Sequence, residues 1–149
     1  CLWDLRNLPL DNEDINAAIR KTLAPHAAGV RLQVRFSVPR EKFTDNTTHA
    51  ILCILRELTI NAVRHGNATA IWVAGSTEGD HLLFSVRDDG CGFDPAAAPG
   101  MDQGHFGLQG IRDRVEGFEG QMEVESSVGN GTKVTISLNM SHLDNAKLT

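Results

Sequence analysis

Apolar and polar residues alternate along the chain in two rhythms. Ile15, Ala18, Ile19 and Leu23 recur three and four residues apart, the period of an amphipathic helix. Leu8-Pro9-Leu10 breaks whatever precedes them. Asp11 is placed to cap the helix with Asp14 in its first turn, and Pro25 and Gly29 end it. Val30, Leu32, Val34, Phe36 and Val38 then alternate with Arg31, Gln33, Arg35 and Ser37, which predicts a half-buried strand with a solvated face. Pro39 closes it. From Thr44 to His65 runs the longest helical pattern, with Ile51, Leu52, Ile54, Leu55, Leu58, Ala62 and Val63 on a broad apolar face and Gly66 where a C-terminal cap belongs.

The second half of the chain returns to strands. One is expected from about Thr69 to Ala74 and another from His81 to Arg87, where Leu82, Phe84 and Val86 share a face; Gly79-Asp80 marks the hairpin between them. Asp88 to Gly107 is different: it carries Gly90, Gly92, Gly100, Gly104 and Gly107 with Pro95 and Pro99, and ordered elements continue after it. Such a segment reads as a functional loop or lid rather than a linker. Leu108, Ile111, Val115 and Phe118 mark a further helix, Met122 and Val124 begin a strand, and Val134, Ile136 and Leu138 form the last, after a Gly129-Asn130-Gly131 turn. Residues 140–149 read as a polar tail. Helices and strands mix without strict alternation, which favours an α/β sandwich with helices on one face of a mixed sheet.

Composition narrows the function. The 149 residues carry 14 Lys and Arg against 19 Asp and Glu, a formal charge of −5. A nucleic-acid groove would need a basic stripe instead. No apolar run approaches the roughly 20 residues of a transmembrane helix, and no signal peptide is visible. Cys1, Cys53 and Cys91 are odd in number and far apart, with neither metal spacing nor a disulfide framework; a reducing, cytoplasmic compartment fits best. Residues 1–8, beginning CLWDLRN, read as the end of a helix belonging to an upstream segment.

Three clusters carry candidate chemistry. Glu57, Asn61 and His65 lie four residues apart on the long helix and so share one face, with Arg64 beside them. A carboxylate and an amide oxygen so placed can hold Mg²⁺, which takes few protein oxygens and adds phosphate oxygens and waters; the same spacing also describes a solvated polar stripe. Asp88-Asp89-Gly90-Cys91-Gly92 directly follows a strand. A carboxylate there can accept a hydrogen bond from an exocyclic amine, and the glycines permit close backbone approach; an acidic turn is the plainer alternative. Gly104-His105-Phe106-Gly107-Leu108-Gln109-Gly110 opens a helix, where free N–H groups attract phosphate. It is not a Walker A loop, since no Gly-Lys-Ser/Thr follows. Trp72 is expected in the core, and Arg31 and Arg35 on a solvated strand face that could also meet a partner domain.

Together the clusters are more specific than any one. ELTINAVRHG, then DDGCGFDP, then GHFGLQGIRDRVEGFEGQMEVESSVGNGTKVTISL, in this order, resembles the ATP-binding catalytic domain of bacterial sensor histidine kinases, within the wider GHKL ATPase family that includes gyrase, Hsp90 and MutL. The resemblance runs from roughly Asp11 to Leu138 and implies an ATP-binding catalytic domain over residues 9–139, preceded at residues 1–8 by the end of a dimerisation helix; its GHFGLQGIRDRVE wording is similar to kinases of the nitrate/nitrite-sensor type, whose partners are LuxR-type response regulators. It implies the Bergerat ATP-binding fold: a mixed five-stranded sheet covered by three helices, with ATP between the helices and a lid.

The resemblance also implies roles. Asn61 would be the Mg²⁺ ligand, assisted by Glu57. Arg64 would reach phosphate, and His65 would pack near the nucleotide. Asp88 would bind the adenine amino group, with Gly90 and Gly92 shaping the pocket. Gly104, His105, Gly107 and Leu108 would flank the phosphates, and Thr132 would lie near the adenine. The implied activity is donation of the ATP γ-phosphate to a histidine on a dimerisation domain. The family's acceptor histidine precedes Asp or Glu, whereas His26, His49, His65, His81, His105 and His142 precede Ala, Ala, Gly, Leu, Phe and Leu; the acceptor is therefore expected upstream. A second departure, GFEGQ in place of a Gly-Gly turn, is minor. An anti-sigma-factor-type serine kinase and a non-catalytic nucleotide-binding module are the alternatives. Neither nucleic-acid nor membrane contact is expected of the domain.

Overall fold

The computed structural model describes residues 15–38, 44–94 and 108–141. Helix α1 (Ile15–Leu23) passes through a 3₁₀ turn at Ala24–His26 into strand β1 (Arg31–Ser37). Helix α2 (Asp45–Arg64) leads to β2 (Ala70–Glu78) and β3 (His81–Asp88), and helix α3 (Leu108–Gly117) to β4 (Gln121–Ser126) and β5 (Thr132–Asn139). The strands form one sheet in the order β1-β2-β3-β5-β4. β1 and β2 are parallel, as a strand pair joined through a helix allows, and the other neighbours are antiparallel. This is the mixed five-stranded sheet expected from the sequence.

Register explains why the helices cover one face. Val34, Val73, Val86, Val134 and Val124 stand in one row across all five strands, and Phe36, Gly75, Phe84, Ile136 and Met122 in the next. Side chains alternate between faces, so these rows point the same way. Against them pack Ile15, Ile19 and Leu23 of α1, Ile51, Leu55 and Leu58 of α2, and Ile111 and Val115 of α3. Each such Leu, Ile or Phe contributes about 1.5–3 kcal/mol on burial. The Phe36 and Phe84 rings meet tilted at 6.1 Å.

Local chemistry sets the element ends. Thr44 caps α2, its hydroxyl accepting from Thr47 N at 3.2 Å. At the other end His65 N and Gly66 N both donate to Asn61 O. The left-handed residue is Asn67 (φ 55°) rather than the expected Gly66; Asn tolerates that region through its short polar side chain. Asn16 closes part of the β1 edge: its Nδ2 donates to Phe36 O at 3.0 Å, and its Oδ1 accepts from Phe36 N at 2.7 Å.

Three further expectations change. β2 runs on to Glu78, further than the apolar pattern ends, because its outer half pairs with β3 through Thr77 and Glu78. Trp72 is half-buried on the outer face instead of in the core, since it is one position out of phase with buried Ile71 and Val73. Met140, assigned from sequence to the polar tail, is buried, and its N–H donates to Asp80 O at 2.8 Å. The Asp11 cap, Asp14, residues 1–8 and residues 142–149 lie outside the described residues.

Candidate functional site

The inward row nearest one end of the sheet holds Leu32, Ile71, Asp88, Thr132 and Ser126. Alternation from Leu82 through Phe84 and Val86 therefore brings a carboxylate to a core-facing position. Asp88 is 9% exposed. A carboxylate is rarely buried without partners; here its Oδ1 accepts from Gly90 N at 2.7 Å. Burial raises its pKa above the usual range, offset in part by backbone hydrogen bonds from Gly90 and Thr132, while the neighbouring Asp89 charge raises it further.

Asp89 faces a different task. Its Oδ1 accepts from Thr69 N at 2.7 Å and Ala70 N at 2.9 Å, and its Oδ2 from the Thr69 hydroxyl. Those bonds, the Thr69 hydroxyl first, hold its pKa down at about 2. Asp89 thus ties the segment between α2 and β2 to the end of β3, leaving Asp88 turned inward.

The loop after β3 is clamped from both sides. Cys91 N donates to Gly66 O at 2.8 Å, and Gly129 N donates to Cys91 O at 2.7 Å. Phe93 N donates to Ser126 Oγ at 2.8 Å, and the same hydroxyl meets Gly131 O and Thr132 Oγ1 at 3.0 and 2.8 Å. Two glycines make the fit possible. A Cβ on Gly90 would stand 2.5 Å from Gly66 O, and one on Gly92 would overlap Ser127 O, with Gly92 also at φ +62°.

These elements line a cavity of about 40 Å³ that opens on one side to solvent. Its apolar wall comes from Leu58, Ala62, Val86, Phe93, Leu108 and Val134, and its polar groups are Asn61, His65, Asp88 and Thr132. Asn61 Nδ2 is buried with no hydrogen-bond partner among the described residues. Leaving an amide so placed unpaired costs about 1–3 kcal/mol, a cost that a polar ligand atom in the cavity would relieve. A half-turn of the planar amide presents its oxygen instead.

The structure brings Asn61, His65, Asp88, Gly92, Leu108 and Thr132 to one cavity wall. Three other sequence candidates do not line it. Glu57 lies half-buried one turn before Asn61, Arg64 is exposed at the end of α2, and Gly90 is buried beneath the loop against Gly66. Gly104, His105 and Gly107 lie outside the described residues. Sequence reasoning missed the apolar wall, because Leu58, Val86 and Val134 carry no signal beyond core periodicity. It also missed Ser126, a polar residue at an inward strand position, and that phase was the available clue.

Residues 46–142 match the family described as histidine kinase-, DNA gyrase B- and HSP90-like ATPases. The chain belongs to this ATPase family. It is an ATP-binding domain of the kind sensor histidine kinases carry. The nitrate/nitrite sensor protein NarQ of Escherichia coli is 29% identical over 145 residues, covering 95% of this chain and 25% of that protein. The histidine-protein kinase/phosphatase UhpB of Salmonella typhimurium is 29% identical over 140 residues, covering 92% of this chain and 27% of its own length. The chain thus spans about a quarter of the curated relatives it matches. In fold, the ATPase domain resembles the histidine kinase domain of a blue-light activated histidine kinase from Erythrobacter litoralis, with a TM-score of 0.64 at 22% identity over 88% of this chain and 63% of that one. It resembles Acinetobacter baumannii histidine kinase AdeS at a TM-score of 0.60, 15% identity, 85% of this chain and 63% of that one.

Proposed function

We propose that the ATPase domain is the catalytic part of a two-component sensor histidine kinase, binding Mg-ATP and presenting its γ-phosphate to a histidine on a dimerisation domain. The observation that carries this is the cavity that pairs buried Asp88 with the unpartnered Asn61 amide. Asp88 accepts a hydrogen bond from the adenine amino group, and the apolar wall covers the base. A charge-assisted bond in such a setting is worth about 1.5–3 kcal/mol. Thr132 borders the adenine end. His65 packs beside the nucleotide at the mouth, with Arg64 one residue earlier reaching toward phosphate.

The residues also suit Mg²⁺. Among the described residues no group of three His, Cys, Asp or Glu could hold a metal alone. Mg²⁺ needs no such cage, since it keeps waters and uses substrate phosphates. Asn61, with Glu57 one turn before it, is the donor set that would hold the ion, which when bound neutralises phosphate charge. Phosphoryl transfer depends on positioning and charge stabilisation more than on covalent help. The domain's own work is therefore to bind, orient and exclude water, with Gly104, His105, Gly107 and Leu108 flanking the phosphates. The acceptor domain and a LuxR-type response regulator are the proposed partners, and the compartment is the cytoplasm; no described helix is long and apolar enough to cross a membrane.

Calorimetric titration of ATP and ADP, with and without Mg²⁺, tests the reading. Saturable 1:1 binding whose Mg²⁺ dependence disappears in Asn61→Ala supports it. Transfer to a separately supplied dimerisation domain should then follow. Absence of binding at millimolar nucleotide overturns it.

A further inference from the structure

The sheet has a second face, opposite the nucleotide cavity, that no helix among the described residues covers. Arg35 on β1, Arg87 on β3 and Lys133 on β5 all point there and are exposed. Arg87 stands directly opposite Lys133 in the β3–β5 register. Like charges so placed destabilise a strand pair. Arg87 is also held flat, its guanidinium 5.1 Å from the Trp72 ring, so its donors are pre-positioned instead of free to swing away. Leu83, one outward row beyond Arg35 and two beyond Arg87, is 51% exposed. It borders a groove with about 580 Å³ of empty space, open to solvent, whose lining includes Arg35, Ala74, Ser85 and Lys133. The carboxylates of this face lie at its margins, Glu78 at the end of β2 and Glu123 and Glu125 on the edge strand β4, with Glu125 opposite Lys133, and none of them lines the groove.

A cluster of cations in a chain of net charge −5, set around an exposed Leu, calls for a partner of opposite sign with an apolar contact. We propose that this face docks an acidic protein segment that seats an apolar side chain beside Leu83 and its carboxylates on Arg35, Arg87 and Lys133. Inward and outward residues alternate along β3 and β5, so docking leaves the cavity open. The inference stands on the outer face alone and does not depend on the kinase reading. A nucleic acid is the less suited occupant, because Trp72 is already covered by Arg87 and offers no free stacking platform.

Anisotropy titration of a labelled peptide of alternating Glu and Leu, at low salt, tests this. Binding should weaken steeply with added salt. The double variant Arg35→Glu/Lys133→Glu should weaken it about tenfold or more, and Leu83→Ala about threefold, with the circular dichroism spectrum unchanged. A matched Lys-Leu peptide should not bind. Failure of the Glu-Leu peptide to bind, equal binding by the double variant, or preference for a single-stranded RNA oligonucleotide would each overturn the proposal.

Discussion

Adjacent carboxylates in the DDG stretch have opposite environments, and the difference is testable residue by residue. Asp88 is buried and its pKa is raised, chiefly by desolvation. A raised carboxylate pKa means its charge opposes folding at neutral pH, and that cost is relieved as pH falls through the folded pKa. Asp88→Asn should therefore leave the melting temperature of the nucleotide-free domain at pH 7 unchanged or higher. ATP affinity should nonetheless fall by about tenfold or more, the worth of one charge-assisted hydrogen bond. If calorimetry shows stability and affinity falling together, Asp88 serves the fold instead. Asp89 has the reverse sign. Its pKa is lowered from 3.8 to about 2 by Thr69 and Ala70, so its contribution is full above the unfolded value and disappears as pH falls through the folded one. Thermal melts of Asp89→Asn should lie below the parent from neutral pH down to about 4, and the two curves should converge toward pH 2.

At the scale of elements, periodicity made most of the fold legible and missed where a tertiary partner decided the outcome. The alternation from Val30 to Val38 and the apolar stripe of α2 were visible because each buries one face. Trp72 points outward, not into the core, because the buried Ile71 and Val73 on either side of it take the inward phase. Residues 76–78 have no apolar signal, yet they are strand because β3 pairs with them. In the site, Asn61 and Asp88 were legible as polar groups at special spacings, whereas the Ser126 clamp on Phe93 N depends on a contact 33 residues away. Asn16 is a similar case, with nothing in its local sequence pointing to Phe36. Its amide makes two hydrogen bonds to the backbone of an edge strand, each worth about 0.5–1.5 kcal/mol. Asn16→Ala should thus lower the urea unfolding free energy by about 1–3 kcal/mol. Nucleotide affinity should stay the same, because β1 lies at the sheet edge and contributes nothing to the cavity wall.

For the molecule as a whole, the cavity exists only when distant segments have come together. Its wall takes Leu58 and Asn61 from α2, Val86 and Asp88 from β3, Leu108 from α3, and Thr132 and Val134 from β5. The unfolded chain has no such site, so nucleotide binding must add to folding stability by mass action. Ligand at a hundred times its dissociation constant adds about 2.7 kcal/mol, which for a chain of this length corresponds to a rise of about 5–10 °C in melting temperature. The rise should grow logarithmically with Mg-ATP concentration and be cut to about half or less in Asp88→Asn at the same nucleotide concentration. It should be retained in Arg35→Glu/Lys133→Glu, since those side chains occupy the opposite face of the sheet. Scanning calorimetry across a nucleotide series distinguishes the outcomes. A melting temperature that ignores nucleotide, in a domain that titration shows to bind it, would mean that the unfolded chain binds nucleotide as well as the folded one, so that binding does not need the assembled cavity. A rise lost equally in both variants would mean that the two faces are coupled through β3 and β5 rather than separated by them.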